Sequence, residues 1–423
     1  MPYRPWWFPE YNPQQQKKFD LVLKTIVAIF QQHQFEHIRT PAVEPIDIIM
    51  RWGDIVDKQV YGLYWLAQWT EDTKDYALHF DLTIPLARYI LDHRNDITFP
   101  FKRYQIQPVW RWERTKRWRY KEFWQFDVDV TRNSNNTMSS WYDSETIFVL
   151  DRAMQTVVDT FNLKINRICK ISHIWLTKER LESLEITWTT QENVLWLLDN
   201  YFKINREEFE HKLLNLVTNY QSQIICALID TKDYSSHMSS LPSYNEFHEL
   251  CNSLSRLWVS YEYDVCIVRW HSYYKWMVCE WFDNDDIALW SLAAWGRYNN
   301  ITDFIDNKQS FSWVGTSLGR FVYRAVDHIQ NQQPEHSYLV INFSDTAKYT
   351  QSLYKELIEQ WLSCGYYPTA SKLSKQFEYA DKKWITHCII AWPWEVEQGT
   401  YTIKNLHTWE ETTHPYDYHI ATN

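Results

Sequence analysis

Pro108-Val-Trp-Arg-Trp-Glu-Arg-Thr-Lys-Arg-Trp-Arg-Tyr-Lys-Glu-Phe-Trp-Gln-Phe-Asp-Val-Asp129 decides the reading of this chain. Both ends read as extended, with a dense basic segment from Arg111 to Lys121 between them. Two strands joined by a cationic loop suit a polyphosphate. Guanidinium forks take phosphate oxygens in pairs, and the strands hold the forks still. Past the loop, Phe126, Val128 and Val130 alternate with Gln125, Asp127 and Asp129, so one face of the second strand is wholly polar. Alone, the pattern equally fits a hairpin with a solvated face and a charged tip.

On the N-terminal side, apolar residues recur at Phe19, Val22, Leu23, Ile26, Val27 and Phe30, an amphipathic helix ending before Thr40-Pro41, with 38–45 extended. Residues 76–80 read as a strand, and Thr83-Ile-Pro85 opens a helix to about His93, with Thr83 a possible cap. Residues 101–112 and 119–130 are the paired strands, and 140–160 have helical spacing. From 165 to 258 the chain is Leu/Glu/Asn-rich with helical patterns and no chemical motif, as expected of an inserted helical subdomain. Residues 263–298 return to strand-like runs, and 330–336 read as a linker. Beyond it, strands at 338–343, 386–391 and 401–408 with helices at 344–364 and 373–384 predict a compact α/β domain. No convincing helix closes the tail after Glu411.

Composition narrows the class. The 423 residues allow two or three domains and a large core. No apolar run approaches 18 residues and the start lacks a secretory apolar core, so the expectation is a cytoplasmic protein with no membrane segment. Seven scattered cysteines without C-x-x-C spacing read as reduced thiols, with no zinc site and no dedicated metal site. A net charge of −10 argues against nonspecific nucleic-acid binding but leaves room for local basic patches.

The chain holds 7 Gly and 25 Trp, whereas glycine averages about 7% of residues, roughly 30 in a chain this long. Tryptophan also stands where a small residue is expected, as in Trp392-Pro-Trp394, Ala294-Trp-Gly296 and Lys383-Trp-Ile385. The expectation is that many of these are glycine in the living protein. A gene whose UGA codons mean glycine, translated with UGA as tryptophan, gives this pattern. A truly tryptophan-rich protein is the competing reading, at odds with the steric demands of tight turns.

The order of residues in 108–129 resembles motif 2 of the class II aminoacyl-tRNA synthetases in its histidyl form, R-x-E-R-x-x-x-G-R-Y-R-E-F-x-Q, with Trp118 at the family glycine. Four further segments resemble histidyl-tRNA synthetases. Ala77-Leu-His-Phe-Asp-Leu-Thr-Ile-Pro resembles the R-P-[DE]-x-T segment, with His79 in place of arginine. Ile267-Val-Arg-Trp-His-Ser-Tyr-Tyr274 resembles R-G-L-D-Y-Y, with Trp270 for glycine and Ser272 for aspartate. Ala293-Ala-Trp-Gly-Arg-Tyr-Asn299 resembles A-G-G-R-Y-D, with Trp295 at a glycine. Trp313-Val-Gly-Thr-Ser-Leu-Gly-Arg320 resembles motif 3, whose arginine falls on Arg320 or, with a different register, Arg324.

The resemblance implies an α+β fold: a class II antiparallel sheet flanked by helices over 1–329, containing the insertion, then a C-terminal α/β anticodon-binding domain over 337–423. It implies a histidine–tRNA ligase that uses ATP with substrate-bound Mg²⁺, charges tRNA(His), and works as a homodimer with its motif 1 region near 19–45. Arg111 and Arg269 are the implied catalytic residues, and Arg111, Glu113, Arg119, Phe123 and Arg320 the ATP site. Asp81, Thr83, Gln125, Asp129, Arg269, Tyr273, Tyr274 and Tyr298 are the implied histidine site. An α-ammonium needs acceptors in a desolvated pocket, which Asp81 and Thr83 can supply. Arg114, Lys116, Arg117, Lys375, Lys382 and Lys383 are the implied tRNA contacts. The alternative is an inactive paralogue that binds histidine, like the synthetase-like regulatory subunit of ATP phosphoribosyltransferase.

Overall fold

The computed structural model describes residues 5, 7–51, 58–63, 75–114, 120–133, 138–231, 233–268, 274–285, 291–299, 302, 305, 311–330 and 336–417. The chain divides into two compact units, Met1–Ile329 and Gln330–Asn423.

Local chemistry sets the first helix, Pro13–Gln32. Asn12 and Gln15 exchange hydrogen bonds between side chain and backbone, and Pro13 takes the first position, where no N–H is needed. Its stripe of Phe19, Val22, Ile26, Ile29 and Phe30 is buried. The strands of the first unit are β1 (Glu36–His37), β2 (Val43–Pro45), β3 (Gly62–Leu63), β4 (Tyr76–Leu78), β5 (Phe101–Trp110), β6 (Glu122–Asn133), β7 (Arg167–His173), β8 (Glu262–Tyr263), β9 (Tyr274–Asp283), β10 (Ala293–Asn299) and β11 (Phe311–Ser317). Eight form one sheet in the order β1-β5-β6-β11-β10-β9-β7-β8, antiparallel except at the parallel outer pairs β1–β5 and β7–β8. β2, β4 and β3 make a small separate sheet.

The alternation in β6 sorts its side chains. Phe126, Val128 and Val130 pack with Phe19, Ile26 and Phe30 and with Ile147, Leu150 and Met154 of the helix Ser140–Thr160, in the main core. On the other face, Leu86, Ala87 and Ile90 of the helix Thr83–His93 cluster with Phe101, Tyr298, Phe311 and Trp313. The site lies on this second face.

Several elements differ from the sequence reading. Thr83 is the first residue of its helix rather than its cap, and Asp81 Oδ1 accepts from the Ile84 N–H (3.2 Å) instead. Helices after residue 165 begin only at Ile174, because Arg167–His173 is a strand of the large sheet. Arg297 in β10 ties that helical stretch to the sheet: it pairs with buried Asp143 and with Glu246 (2.8 Å) on the helix Tyr244–Arg256. Asp143→Ala leaves a buried guanidinium half-compensated and is expected to cost about 3–5 kcal/mol. Urea unfolding measures this, and a loss under about 1 kcal/mol contradicts it.

The second unit is a five-stranded sheet of β12 (Tyr338–Val340), β13 (Cys364–Tyr366), β14 (His387–Ile390), β15 (Thr400–Asn405) and β16 (Glu411–Pro415), in the order β13-β12-β14-β15-β16. Its faces bury different residues: Tyr338 and Val340 meet Leu353 and Leu357, while Leu339 and Ile341 meet Ala380 and Ile390. The helix read at 344–364 spans only Ala347–Glu359, and Cys364 begins a strand. The tail beyond Glu411 forms a hairpin with β15.

Candidate active site

Cross-strand register builds the floor of the site. Arg103 faces Asp129, Gln105 faces Asp127 and Gln107 faces Gln125, so three polar pairs stand side by side on one face of β5–β6. On the neighbouring strands, Gly315 is the partner of Asp129, and Gly296 the partner of Gly315. The missing side chains make room for the Tyr298 hydroxyl to donate to Asp129 Oδ1. A Cβ at Gly315 would lie 1.8 Å from that oxygen and 2.5 Å from the Tyr298 hydroxyl, so any other residue would push both groups from their places.

The floor is anchored at one end and left unsatisfied at the other. Gln107 brackets Thr40, its Oε1 accepting the Thr40 N–H (3.0 Å) and its Nε2 donating to the Thr40 carbonyl (2.9 Å). Gln105 Nε2 donates to Thr40 Oγ1 (2.8 Å) and to Gln107 Oε1 (2.6 Å). Gln125 Oε1 accepts the Leu82 N–H (3.1 Å), tying β6 to the segment that carries Asp81. Arg103 Nη2 lies 2.6 Å from Asp129 Oδ2, an ion pair whose N–H is not aimed along the contact. Arg103 Nε and Nη1, Gln105 Oε1 and Asp127 Oδ1 are buried without a hydrogen-bond partner among the described residues. Buried polar atoms are paired in nearly all native proteins, so such a cluster marks a place for a polar ligand.

Electrostatics say which kind. Burial pushes Asp129 up to about 7 and Asp127 up to about 6, with Arg103 opposing in both cases. Burial also raises Asp81, against the pull of Arg111. Three carboxyls on a desolvated floor, reluctant to ionise together, favour a ligand that brings N–H donors and positive charge. An α-ammonium and an imidazole N–H on one small molecule meet that demand.

At the end of β5, the Arg111 side chain is held in place by its neighbours. Its Nε donates to the Phe80 carbonyl (2.7 Å), its N–H donates to the Lys121 carbonyl (2.9 Å), and its guanidinium lies over the rings of Phe123 (5.2 Å) and Phe80 (5.8 Å). Both terminal nitrogens are without a hydrogen bond among the described residues. His79, where the resemblance has arginine, is buried beneath, its Nε2 2.8 Å from the Pro108 carbonyl. Burial lowers its pKa, so it stays neutral and supplies no charge to the site.

The sequence-predicted residues divide accordingly. Asp81, Gln125, Asp129 and Tyr298 line one floor, Thr83 opens the adjoining helix, and Arg111 and Phe123 stack beside it. Tyr274 is the strand partner of Tyr298. Glu113 follows Arg111 half-buried, and Arg114 is exposed. Arg320 is half-buried and donates to the Ser291 carbonyl (3.3 Å), whereas Arg324 is committed to a buried pair with Asp283 (2.7 Å). Arg269, Tyr273, Lys116, Arg117 and Arg119 lie outside the described residues. In the second unit Lys375, Lys382 and Lys383 are exposed on and just after the helix Leu373–Lys382, Lys382 beside Glu378 (2.5 Å). Trp295 is buried and its indole donates to Thr146 Oγ1 (2.7 Å), while the buried Trp313 indole N–H has no partner among the described residues. Sequence reading missed Arg103, Gln105, Gln107 and Thr40. The signal was present, since Arg103, Gln105 and Gln107 alternate with Tyr104 and Ile106 as the polar set of β6 does with its apolar set.

Known proteins resemble the chain along nearly its whole length. Residues 8–319 match the family model described as histidyl-tRNA synthetase, and 337–421 match the anticodon binding domain. A histidine–tRNA ligase of Clostridium acetobutylicum is 28% identical over 96% of this chain and 95% of its own length. The histidyl-tRNA synthetase structure from Nostoc sp. PCC 7120 superposes with a TM-score of 0.85 at 24% identity, covering 99% of this chain and 98% of that one. An ATP phosphoribosyltransferase regulatory subunit/histidyl-tRNA synthetase from Bacillus halodurans C superposes at 0.74 with 16% identity, covering 90% and 97%. At those identities the two structures establish the fold. With three quarters of its length matched by one family model, the chain belongs to the histidyl-tRNA synthetase family, class II aminoacyl-tRNA synthetases with a C-terminal anticodon-binding domain.

Proposed function

We propose that the chain is a histidine–tRNA ligase that activates histidine with ATP and transfers it to the 3′ end of tRNA(His). The observation that carries the reading is the buried polar floor beside Arg111, whose stacked guanidinium has both terminal nitrogens without a hydrogen bond among the described residues. The histidine carboxylate attacks the α-phosphate of ATP, pyrophosphate leaves, and a hydroxyl of the terminal adenosine then displaces AMP from the carbonyl carbon. No protein nucleophile is needed; the work is positioning and charge stabilisation. Arg111 and Arg269 take the α-phosphate, Phe123 stacks on adenine with Glu113 at its edge, and Arg119 and Arg320 meet the distal phosphates, whose Mg²⁺ arrives with the nucleotide. Arg324 is less suited to that role because Asp283 already holds it. Asp81 and Thr83 accept from the α-ammonium, while Gln125, Asp129, Tyr298, Tyr273 and Tyr274 surround the imidazole. Arg114, Lys116 and Arg117 face the acceptor end of the tRNA, and Lys375, Lys382 and Lys383 its anticodon stem-loop. The enzyme is a cytoplasmic homodimer, with catalysis in 1–329 and the anticodon-binding domain in 337–423. Glycine at Trp118 and Trp270, both outside the described residues, belongs to the same reading.

Charging tests it. The full chain with ATP, labelled histidine and tRNA(His) is expected to form acid-precipitable histidyl-tRNA. An enzyme that binds histidine but leaves the tRNA uncharged contradicts the proposal and favours the regulatory paralogue.

A further inference from the structure

Among the described residues, eight that are not glycine have positive φ, and five of these are tryptophan: Trp7, Trp258, Trp361, Trp384 and Trp409, at 56–65°. Tryptophan makes up 25 of 423 residues, so its abundance does not account for the concentration. In the left-handed region Cβ crowds the backbone carbonyl. Glycine escapes the penalty, asparagine tolerates it, and a bulky aromatic residue is an outlier there.

Three of the five stop helices by one device. After the helix Tyr244–Arg256, the Trp258 N–H donates to the Ser255 carbonyl (3.2 Å) and the Val259 N–H reaches back to Leu254 (3.0 Å). After Ala347–Glu359, Trp361 donates to Ile358 (3.0 Å) and Leu362 to Leu357 (3.2 Å). After Leu373–Lys382, Trp384 donates to Asp381 (3.0 Å) and Ile385 to Ala380 (2.9 Å). This is the helix stop whose left-handed residue is usually glycine and whose next residue is apolar and folds back on the helix. Trp409 sits left-handed in the β15–β16 turn, another glycine position. The described glycine with positive φ, Gly399 at 67°, ends the helix Pro393–Gln398 in the same left-handed conformation.

The side chains add nothing to two of these stops. Trp258 and Trp361 are each 93% exposed, and neither indole makes a hydrogen bond or a ring contact among the described residues. Trp281, by contrast, is not left-handed and lies fully buried on a strand with its indole donating to Asp151 (3.3 Å).

We infer that Trp7, Trp258, Trp361, Trp384 and Trp409 are glycine in the protein its own cell makes, inserted at UGA codons, whereas Trp281 is a true tryptophan. None of the five lies in the histidine or ATP site, so the inference stands apart from the ligase reading and is tested without any activity. Tryptic peptides 257–269 and 356–372 of the protein from its native cells each contain one of these positions. Tandem mass spectrometry is expected to find glycine at 258 and at 361, each peptide lighter by an indolylmethyl group exchanged for hydrogen. The gene is expected to carry UGA at both codons and UGG at 281. Tryptophan at 258 or 361, or UGG at either codon, overturns the inference.

Discussion

Arg111→Ala is expected to lower kcat/KM for histidine-dependent ATP–pyrophosphate exchange by about 10²–10³-fold, the effect of removing one preorganised donor from a developing negative charge. The side chain is positioned before substrate arrives. Phe80 takes its Nε, and two aromatic rings hold its plane, so its two terminal nitrogens are presented without rearrangement. Arg111→Lys keeps the charge but loses the fork and the stacking, and recovers only a minor part of the rate. Because Arg111 is half-buried at the edge of β5, both variants are expected to keep the parent's thermal midpoint within a few degrees. Exchange within threefold of the parent in Arg111→Ala would remove this residue from the chemistry.

The share of the ligand-free protein's stability that Asp127 and Asp129 carry is expected to be lost as pH rises from about 5 to 8, against the gain from buried histidines such as His173 and His79 that stay neutral when folded. Burial raises the carboxyls of Asp127 and Asp129 to about 6 and about 7. A carboxyl whose folded pKa lies above its unfolded value contributes stability that is complete below the unfolded value, near 4, and disappears as pH climbs through the folded one. One pKa unit is about 1.4 kcal/mol, so the roughly two units between pH 5 and the raised Asp129 value amount to about 3 kcal/mol lost across that window. Arg103 already holds the shift to this size. Asp129→Asn cannot ionise and is expected to remove that loss while abolishing histidine-dependent exchange. Thermal melts at pH 5, 6.5 and 8 measure it. A parent and an Asp129→Asn variant whose midpoints change alike over that range would show that Arg103 keeps Asp129 ionised throughout.

How much of this was readable beforehand depended on whether the cause was local. The motif 2 strands were legible because their alternation has period two and their charges sit at the turn. The first helix was legible from its apolar stripe, and its start could have been placed at Asn12 from the Asn-Pro-x-Gln cap. Arg103 was legible in principle from the polar alternation of β5, yet only its register opposite Asp129 shows its role. Arg324 was not: its commitment to Asp283 joins residues 41 apart, on a helix and a strand end that only the fold brings together. Arg167–His173 looked like part of a helical stretch because the segment after it is helical, and pairing with β9 made it a strand. The tail hairpin was hidden for the same reason, since Glu411–Pro415 has no apolar pattern and is extended because β15 offers an edge.

Pyrophosphate exchange with each of the twenty amino acids, using the full chain from its native cells, tests the central claim most directly. The buried floor and the stacked Arg111 predict rapid exchange with histidine and, with every other amino acid, a rate at least a hundredfold lower. No exchange with histidine, or equal exchange with another amino acid, would contradict it.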